Sequence, residues 1–267
     1  MLFRSRARVQ TSDKVFASLL RATDRLVIDS AEFEDAQRDL LELNKLFTEE
    51  PSSQVGISDL NWARLTFWRG LLADFYDVPA YQSLLDNIDH VRIDYVGQER
   101  APETVAPQAL LIAGWLSSRL EWELAGEQPL QAQGKTTTSF RFHGGESGSS
   151  LTVGKGAGER DITLELNRVE QGERKPGRLV EVELRTNAQE SDKEPATFIV
   201  TRSADNLHLL TEARLGSSTH RGRVLPVRNR STALLLSREM EILCNDQIYQ
   251  EAVAMAASMI DRLTSLS

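Results

Sequence analysis

The hydrophobic pattern of this chain changes its period near residue 127, and that change limits the folds the sequence can adopt. Before this point, short apolar runs alternate with segments in which apolar residues recur every three or four positions. After it, apolar and polar residues alternate singly, as at Val180, Val182 and Leu184. The first pattern is typical of α/β units around a parallel sheet, and the second of half-buried antiparallel strands. We therefore predict an α/β plus α+β chain with an α/β domain over residues 1–126 and an antiparallel β-sheet domain over residues 127–267.

Within residues 1–126, helix and strand alternate three times. Predicted strands cover residues 25–30, 55–59 and 89–96, and helices are predicted after residue 13, over residues 33–47, in the stretch after Asp59 and over residues 107–122. Three parallel strands make a thin sheet, and the first predicted element is a helix. We therefore expect a Rossmann-like domain that lacks its first strand, in a chain that starts part-way into a larger domain.

The second domain is predicted from its period of two. Strands are expected around Phe140 and Phe142 and over residues 162–166, 180–184, 196–202 and 206–214. Two C-terminal helices follow, over residues 232–243 and 246–263, and Asp246 is a predicted N-cap of the second.

Composition excludes several classes of protein. The net charge of −8 opposes broad attraction to nucleic acid or to anionic membranes, both of which need clustered cations. A single cysteine, Cys244, excludes an internal disulfide and fits a reducing compartment. The longest apolar run, residues 109–113, is far shorter than the roughly 20 residues that cross a bilayer. We predict a cytoplasmic protein that binds neither nucleic acid nor membrane.

No set of residues has the spacing of a catalytic or metal site. Gly134-Lys-Thr resembles the end of a phosphate-binding loop, but Pro129 stands where its first glycine is required. The glycines of residues 154–158 lie in the antiparallel region, where a dinucleotide-binding turn does not operate. The four histidines are scattered, and none lies three or four residues from another. We predict no enzymatic activity, no metal and no cofactor.

The stretch of residues 55–78 contains two of the four tryptophans. Leu65, Trp68 and Leu72 recur at helical spacing, which indicates a face packed on a core. Trp62 and Arg64 fit that face less well and lie near the carboxyl end of a predicted strand. Ligands and partners of open α/β sheets bind at such strand ends, and tryptophan and arginine are enriched in interfaces.

Residues 219–230 form a second candidate, because this segment is rich in arginine in an otherwise acidic protein. Two interpretations stay open. The segment is either a solvated loop or edge strand whose arginines pair with carboxylates, or a cluster that docks an acidic partner or a phosphorylated ligand.

Residues 58–69, SDLNWARLTFWR, resemble a signature of the bacterial glucose-6-phosphate dehydrogenase assembly protein family, OpcA. Flanking segments agree with that family: DRLVIDS at residues 24–30, ALLIAGWL at 109–116 and LLSREMEIL at 235–243. The resemblance begins near Asp13 and covers nearly all of the remaining chain. Phe67 departs from it, since proline is expected at that position.

The resemblance implies a non-catalytic assembly factor and allosteric activator that binds glucose-6-phosphate dehydrogenase and so supports NADPH production in the oxidative pentose phosphate pathway. A second hypothesis is a small-ligand sensor that binds a sugar phosphate or nucleotide at the strand ends. The residues predicted to contact the partner are Asp59, Asn61, Trp62, Arg64, Arg69, Arg221, Arg223 and Arg228.

Overall fold

The computed structural model describes residues 14–48, 55–97, 104–125, 136–144, 160–170, 174–186, 194–227, 231–241 and 246–265. It divides the chain into two compact units, each built from separated segments. The first unit comprises Met1–Thr66, Gln98–Leu116 and Asn229–Ser267, and the second comprises Phe67–Gly97 and Ser117–Arg228. The sequence predicted a single break after residue 126, whereas these units interleave along the chain.

The described residues contain eight α-helices, a short 3-10 turn at Ser30–Glu32 and ten strands. The helices are α1 (Lys14–Arg21), α2 (Ala36–Thr48), α3 (Leu60–Arg64), α4 (Thr66–Asp74), α5 (Pro79–Leu85), α6 (Pro107–Arg119), α7 (Thr232–Glu241) and α8 (Gln247–Thr264). The strands are β1 (Arg25–Ile28), β2 (Gly56–Asp59), β3 (Ile88–Val96), β4 (Trp122–Leu124), β5 (Thr137–Gly144), β6 (Arg160–Val169), β7 (Leu179–Thr186), β8 (Ala196–Arg202), β9 (His208–Leu215) and β10 (Ser218–Pro226). The predicted α/β class is confirmed.

In the first unit, β1 and β2 form a two-stranded parallel sheet in which Arg25 lies opposite Gly56. Both strands are almost entirely buried, as expected for parallel strands covered by helices. Val27 of β1 packs with Leu60 of α3 and Leu235 of α7 in one apolar cluster. Helix α3 therefore connects the sheet to the C-terminal part of the chain.

Helices α6 and α8 of the first unit approach each other at Gly114. A Cβ atom added there would overlap the carbonyl oxygen of Ala252, and the amide nitrogen of Ala256 lies close by. The small residues on both helices allow the two backbones to pack closely.

The second unit is organised around an eight-stranded sheet with the order β10-β9-β8-β7-β3-β6-β5-β4. Strand β3 pairs parallel with β6 and antiparallel with β7, and the other neighbours pair antiparallel. The prediction that residues 89–96 extend the small parallel sheet is wrong. Buried Val91, Ile93 and Tyr95 alternate with polar residues, a pattern that suits a sheet with one covered face.

One face of the large sheet packs on the segment that follows α3. The ring of Phe198 in β8 lies 5.2 Å from the rings of both Phe75 and Tyr81. The helix expected after Asp59 is broken at Leu65, which separates α3 from α4. As a consequence, the aromatic stretch contributes to two different cores.

We predict that Gly114→Ala lowers the free energy of unfolding by about 1–3 kcal/mol. The added methyl group would overlap the backbone of α8, and this overlap can be relieved only by a shift of the helix. Gly70→Ala is the matched control. Gly70 lies in α4 with nothing within 4 Å of its added Cβ. This change should stabilise by about 0.5–1 kcal/mol through helix propensity. Guanidinium denaturation of both variants measures the difference, and equal stability of the two would refute the close α6–α8 packing.

Candidate functional site

The candidate site of the first unit is built around the buried carboxylate of Asp59, which ends β2 and caps α3. Its Oδ1 accepts hydrogen bonds from the backbone N–H groups of Ser30, at 3.0 Å, and Asn61, at 2.8 Å. Its Oδ2 accepts from Ser30 Oγ at 2.6 Å and from Tyr249 Oη at 3.1 Å. The carboxylate therefore joins the turn after β1, the start of α3 and helix α8.

Burial dominates the electrostatics of this group. Desolvation raises the pKa of Asp59 to about 6, while hydrogen bonds from Ser30 and Asn61 oppose the rise and the charge of Asp29 adds to it. Burial, followed by the nearby Asp59 carboxylate, raises the pKa of Tyr249 well above its ordinary value. The tyrosine therefore stays protonated at neutral pH and donates its hydroxyl proton to Asp59.

Two amide side chains extend the network to α6. Asn61 Nδ2 donates to Ser30 Oγ at 3.0 Å, and Gln108 Nε2 donates to Asn61 Oδ1 at 2.8 Å. Asn61 is fully buried and Gln108 is 2% exposed. Buried polar groups carry a large desolvation cost unless they find partners, so these bonds fix the relative positions of α3, α6 and the β1 end.

Trp62 connects the same region to the start of α8. Its Nε1 donates to Asp246 Oδ2 at 2.7 Å, while Asp246 Oδ1 accepts from the backbone N–H of Tyr249 at 3.0 Å. The Trp62 and Tyr249 rings lie 5.4 Å apart. The predicted N-cap role of Asp246 is confirmed, and the carboxylate holds the indole in addition to the helix.

Arg64 closes the network through a two-pronged ion pair. Its Nη1 and Nη2 lie 2.6 and 2.7 Å from the two carboxylate oxygens of Asp29. The side chains of Arg64 and Asp29 are only 16% and 10% exposed. This bidentate geometry is stronger and more directional than a surface ion pair, and it holds the end of α3 to the turn after β1.

The predicted partner-binding residues do not form one site in the structure. Asp59, Asn61, Trp62 and Arg64 come together in the buried network just described. Arg69 lies half-buried in α4 of the second unit.

The predicted arginines of residues 219–230 belong to the second unit. Arg221 and Arg223 lie on β10, an exposed strand at the edge of the large sheet, where Arg223 Nη1 contacts Asp74 Oδ2 at 2.6 Å. Arg228 lies outside the described residues. An edge strand with a paired arginine was one of the two interpretations of this segment.

Sequence reasoning missed Ser30, Gln108 and Tyr249. Ser30 stands at the end of a predicted strand, as Asp59 does, and that shared position was a usable signal. Gln108 and Tyr249 are distant in sequence, and no spacing connects them to Asp59.

The described residues contain no group of three or more His, Cys, Asp or Glu side chains that could hold a metal ion. The glycine segments at residues 154–158 and the Gly134-Lys pair lie outside the described part of the chain. Among the helices that the structure describes, none is long and apolar enough to cross a bilayer.

Comparison with protein families shows that residues 55–253 match the family described as the C-terminal domain of the glucose-6-phosphate dehydrogenase subunit. A relative from Synechococcus elongatus, which carries the name OxPP cycle protein OpcA, is 27% identical over 253 residues, covering 94% of this chain and 51% of the relative. A Nostoc punctiforme protein of the same name is 37% identical over 118 residues, covering 44% of this chain and 23% of that protein. The chain thus spans about half the length, or less, of these relatives.

Solved structures with a similar fold include oxidoreductases. A 3-ketoreductase from Actinomadura kijaniata in complex with NADP has a TM-score of 0.55 at 11% identity, covering 93% of this chain and 71% of the reductase. An oxidoreductase from Thermotoga maritima has a TM-score of 0.51 at 10% identity, covering 95% of this chain and 74% of that structure. At such identities the likeness establishes the α/β fold alone.

We predict that Asp59→Asn removes a pH dependence of stability. The folded pKa of about 6 exceeds the value of about 4 in an unfolded chain, so the folded state binds the extra proton between these two values. The free energy of unfolding of the wild type therefore falls, by on the order of 3 kcal/mol, as pH rises from about 4 to about 6. Denaturant titrations at several pH values should show a flatter profile for the variant. An unchanged decline would contradict the assignment to Asp59.

A second prediction concerns the indole of Trp62. Trp62→Phe keeps an aromatic ring but removes the donor to Asp246, and we expect it to cost about 1–3 kcal/mol more than a matched control, since the lost bond involves a charged acceptor. Trp122→Phe is that control, because Trp122 is also 5% exposed and its indole nitrogen donates to no other described residue. Denaturant unfolding of both variants gives the comparison. Equal losses would show that the Trp62–Asp246 bond contributes nothing.

Proposed function

The chain belongs to the OpcA family, whose matching region is described as the C-terminal domain of the glucose-6-phosphate dehydrogenase subunit, and from this membership we propose that it binds glucose-6-phosphate dehydrogenase and promotes the active oligomer of that enzyme. The observation that carries the proposal is the family match over residues 55–253, which includes the SDLNWARLTFWR segment. The proposal assigns the chain a non-catalytic role in the OxPP cycle, in the cytoplasm with its partner enzyme.

A non-catalytic role agrees with the chemistry of the Asp59 network. Asp59 and Tyr249, whose pKa values are both raised by burial, are 1% exposed and hydrogen-bonded to each other. A general acid or base must reach the proton that it transfers, and these groups face the protein interior. The polar groups at the ends of β1 and β2 bond to one another, which does not favour the alternative of a ligand sensor at those strand ends.

The buried position of the family segment gives it a scaffolding role in this proposal. Asp59, Asn61 and Trp62 are at most 5% exposed, so they stabilise the first unit and offer a partner almost no surface of their own. We propose that the direct contacts are made by accessible arginines, with Arg221 and Arg223 of β10 as the leading candidates.

Strand β10 has the properties of a contact surface. Its residues are exposed almost throughout, and Val224 is 63% exposed. Among the strands that the structure describes, only β9 pairs with it. An edge strand offers unpaired backbone groups to another chain. Its arginines stand out against a net charge of −8 and would attract acidic side chains of the dehydrogenase.

Activation adds a thermodynamic requirement. A factor that binds both states of the dehydrogenase equally shifts no population, however tightly it binds. Moving an enzyme from 1:99 to 99:1 in favour of its active state needs a preference on the order of 10⁴-fold. The proposed chain must therefore recognise a surface that differs between the inactive and active oligomers.

We predict that the purified chain raises the activity of its cognate dehydrogenase at low glucose 6-phosphate and increases the native mass of the enzyme. Binding energy that favours the assembled state links the two effects, so both should saturate at the same protein concentration. Steady-state kinetics and light scattering on the same samples provide the measurements. Purified components that neither associate nor change in kinetics would refute the proposed function.

Charge reversal on β10 tests the proposed contact. Arg221→Glu combined with Arg223→Glu should weaken binding to the dehydrogenase about tenfold or more, because like charges then face an acidic partner. Arg21→Glu combined with Arg238→Glu is the control, since both residues are also exposed and this pair makes the same change in net charge. Binding that survives the change on β10, or that falls equally in the control, would remove β10 from the interface.

A further inference from the structure

Three arginines converge where β7 begins and β8 ends in the large sheet. Arg174 and Arg178 precede β7, and Arg202 is the last residue of β8, which pairs antiparallel with β7. We call Arg174, Arg178 and Arg202 the arginine cluster. All three are partly buried and belong to the second unit.

Main-chain carbonyl groups and one aromatic ring hold the cluster in position. Arg174 Nη2 donates to the carbonyl oxygens of Arg202 and Ser203, each at 3.2 Å. Arg202 Nε donates to the carbonyl oxygen of Leu179 at 3.1 Å, and its guanidinium carbon lies 5.6 Å from the centre of the Trp68 ring. Arg174 and Arg202 are therefore fixed by neutral groups that leave their charge uncompensated.

The charges within the cluster act on one another. Burial first, and then the charges of Arg178 and Arg174, lower the pKa of Arg202 to about 10. Burial also lowers the pKa of Arg174. Arg202 remains charged at neutral pH, because even the lowered value lies well above 7.

No carboxylate of the described residues forms an ion pair with Arg174 or Arg202. Asp205, which follows β8, accepts hydrogen bonds from Ser203 Oγ and the backbone N–H of Leu207 instead. By contrast, Arg92 in the same sheet does pair with carboxylates, since it lies 2.6 Å from Glu181 and 3.4 Å from Asp94.

Arg174 and Arg202 have donor groups that no described residue accepts. Arg174 Nη1 is buried and has no hydrogen-bond partner among the described residues. The two terminal nitrogens of Arg202 likewise donate to no described residue. A buried donor without a partner costs free energy, and an anion bound between these guanidinium groups would remove that cost.

We propose that the arginine cluster binds a phosphate group, either inorganic phosphate or the phosphate of a small phosphate ester. Guanidinium groups present forked donors that match the oxygens of phosphate, and adjacent cations are better compensated by a dianion than by a single carboxylate. The cation–π contact with Trp68 holds Arg202 in place while leaving its terminal nitrogens for the anion. This inference does not depend on the proposed partnership with the dehydrogenase.

Calorimetry on the full chain, without any dehydrogenase, tests the inference. The probes are inorganic phosphate, glucose 6-phosphate and acetate, each at the same ionic strength set with sodium chloride. We expect saturable binding of phosphate or of glucose 6-phosphate and none of acetate. Tighter binding of glucose 6-phosphate would identify an ester as the preferred source of the phosphate group, and tighter binding of inorganic phosphate would identify the free ion.

Substitutions assign the binding to the cluster. Arg174→Gln and Arg202→Gln should each weaken phosphate binding about tenfold or more, since each removes a charged donor. Arg214→Gln on β9 is the matched control, because Arg214 pairs with Glu212 at 2.6 Å, and it should leave the affinity unchanged. If Arg202→Gln fails to fold by circular dichroism, Arg202→Lys and Arg174→Gln carry the test. Absence of saturable binding of both phosphate probes, or equal affinity in wild type and Arg174→Gln, would overturn the inference.

Discussion

The first unit depends on one buried carboxylate. Asp59 lies where β2 ends and α3 begins, and the groups that bond to it come from the turn after β1, from α3 and from α8. Asn61 in turn accepts a hydrogen bond from Gln108 of α6. Segments that are far apart in the sequence are therefore linked through Asp59, which is 1% exposed. Desolvation makes the carboxylate costly to bury, and the donors around it offset part of that cost. The unit therefore depends on all of these donors being in place together.

Local patterns predicted much of this fold. The apolar runs of β1 and β2, the helical spacing of α2 and the capping residue Asp246 all follow from nearest-neighbour rules, and the structure confirms them. Strand β3 was predicted as a strand but assigned to the wrong sheet, because pairing depends on partners more than 70 residues away, such as Leu164 and Leu184. The alternation of polar and apolar residues in β3 favoured a sheet with one covered face, which is the sheet that the structure shows. The order of elements along the chain favoured the small parallel sheet and was misleading.

In the candidate site, too, local features could be predicted from the sequence and long-range contacts could not. Asp59, Asn61, Trp62 and Arg64 could be singled out from their position at a strand end, but their burial could not, because it results from α6 and α8 covering them. Their role as partner contacts stays a prediction, and their observed bonds favour an indirect role. A segment typical of the family can stabilise the unit that contains it without forming a contact surface, and edge strand β10 of the second unit provides accessible arginines for direct contact.

The central claim is that exposed strand β10 forms the contact surface and that the buried residues of Gly56–Asp59 and Leu60–Arg64 do not. Hydrogen–deuterium exchange of the chain, alone and saturated with its cognate dehydrogenase, tests this claim most directly. The account predicts slower exchange on binding in peptides from Ser218–Pro226, and slow, unchanged exchange in peptides over Gly56–Asp59 and Leu60–Arg64, which are largely buried in the free chain. Slower exchange confined to the latter peptides, with no change in β10, would contradict it.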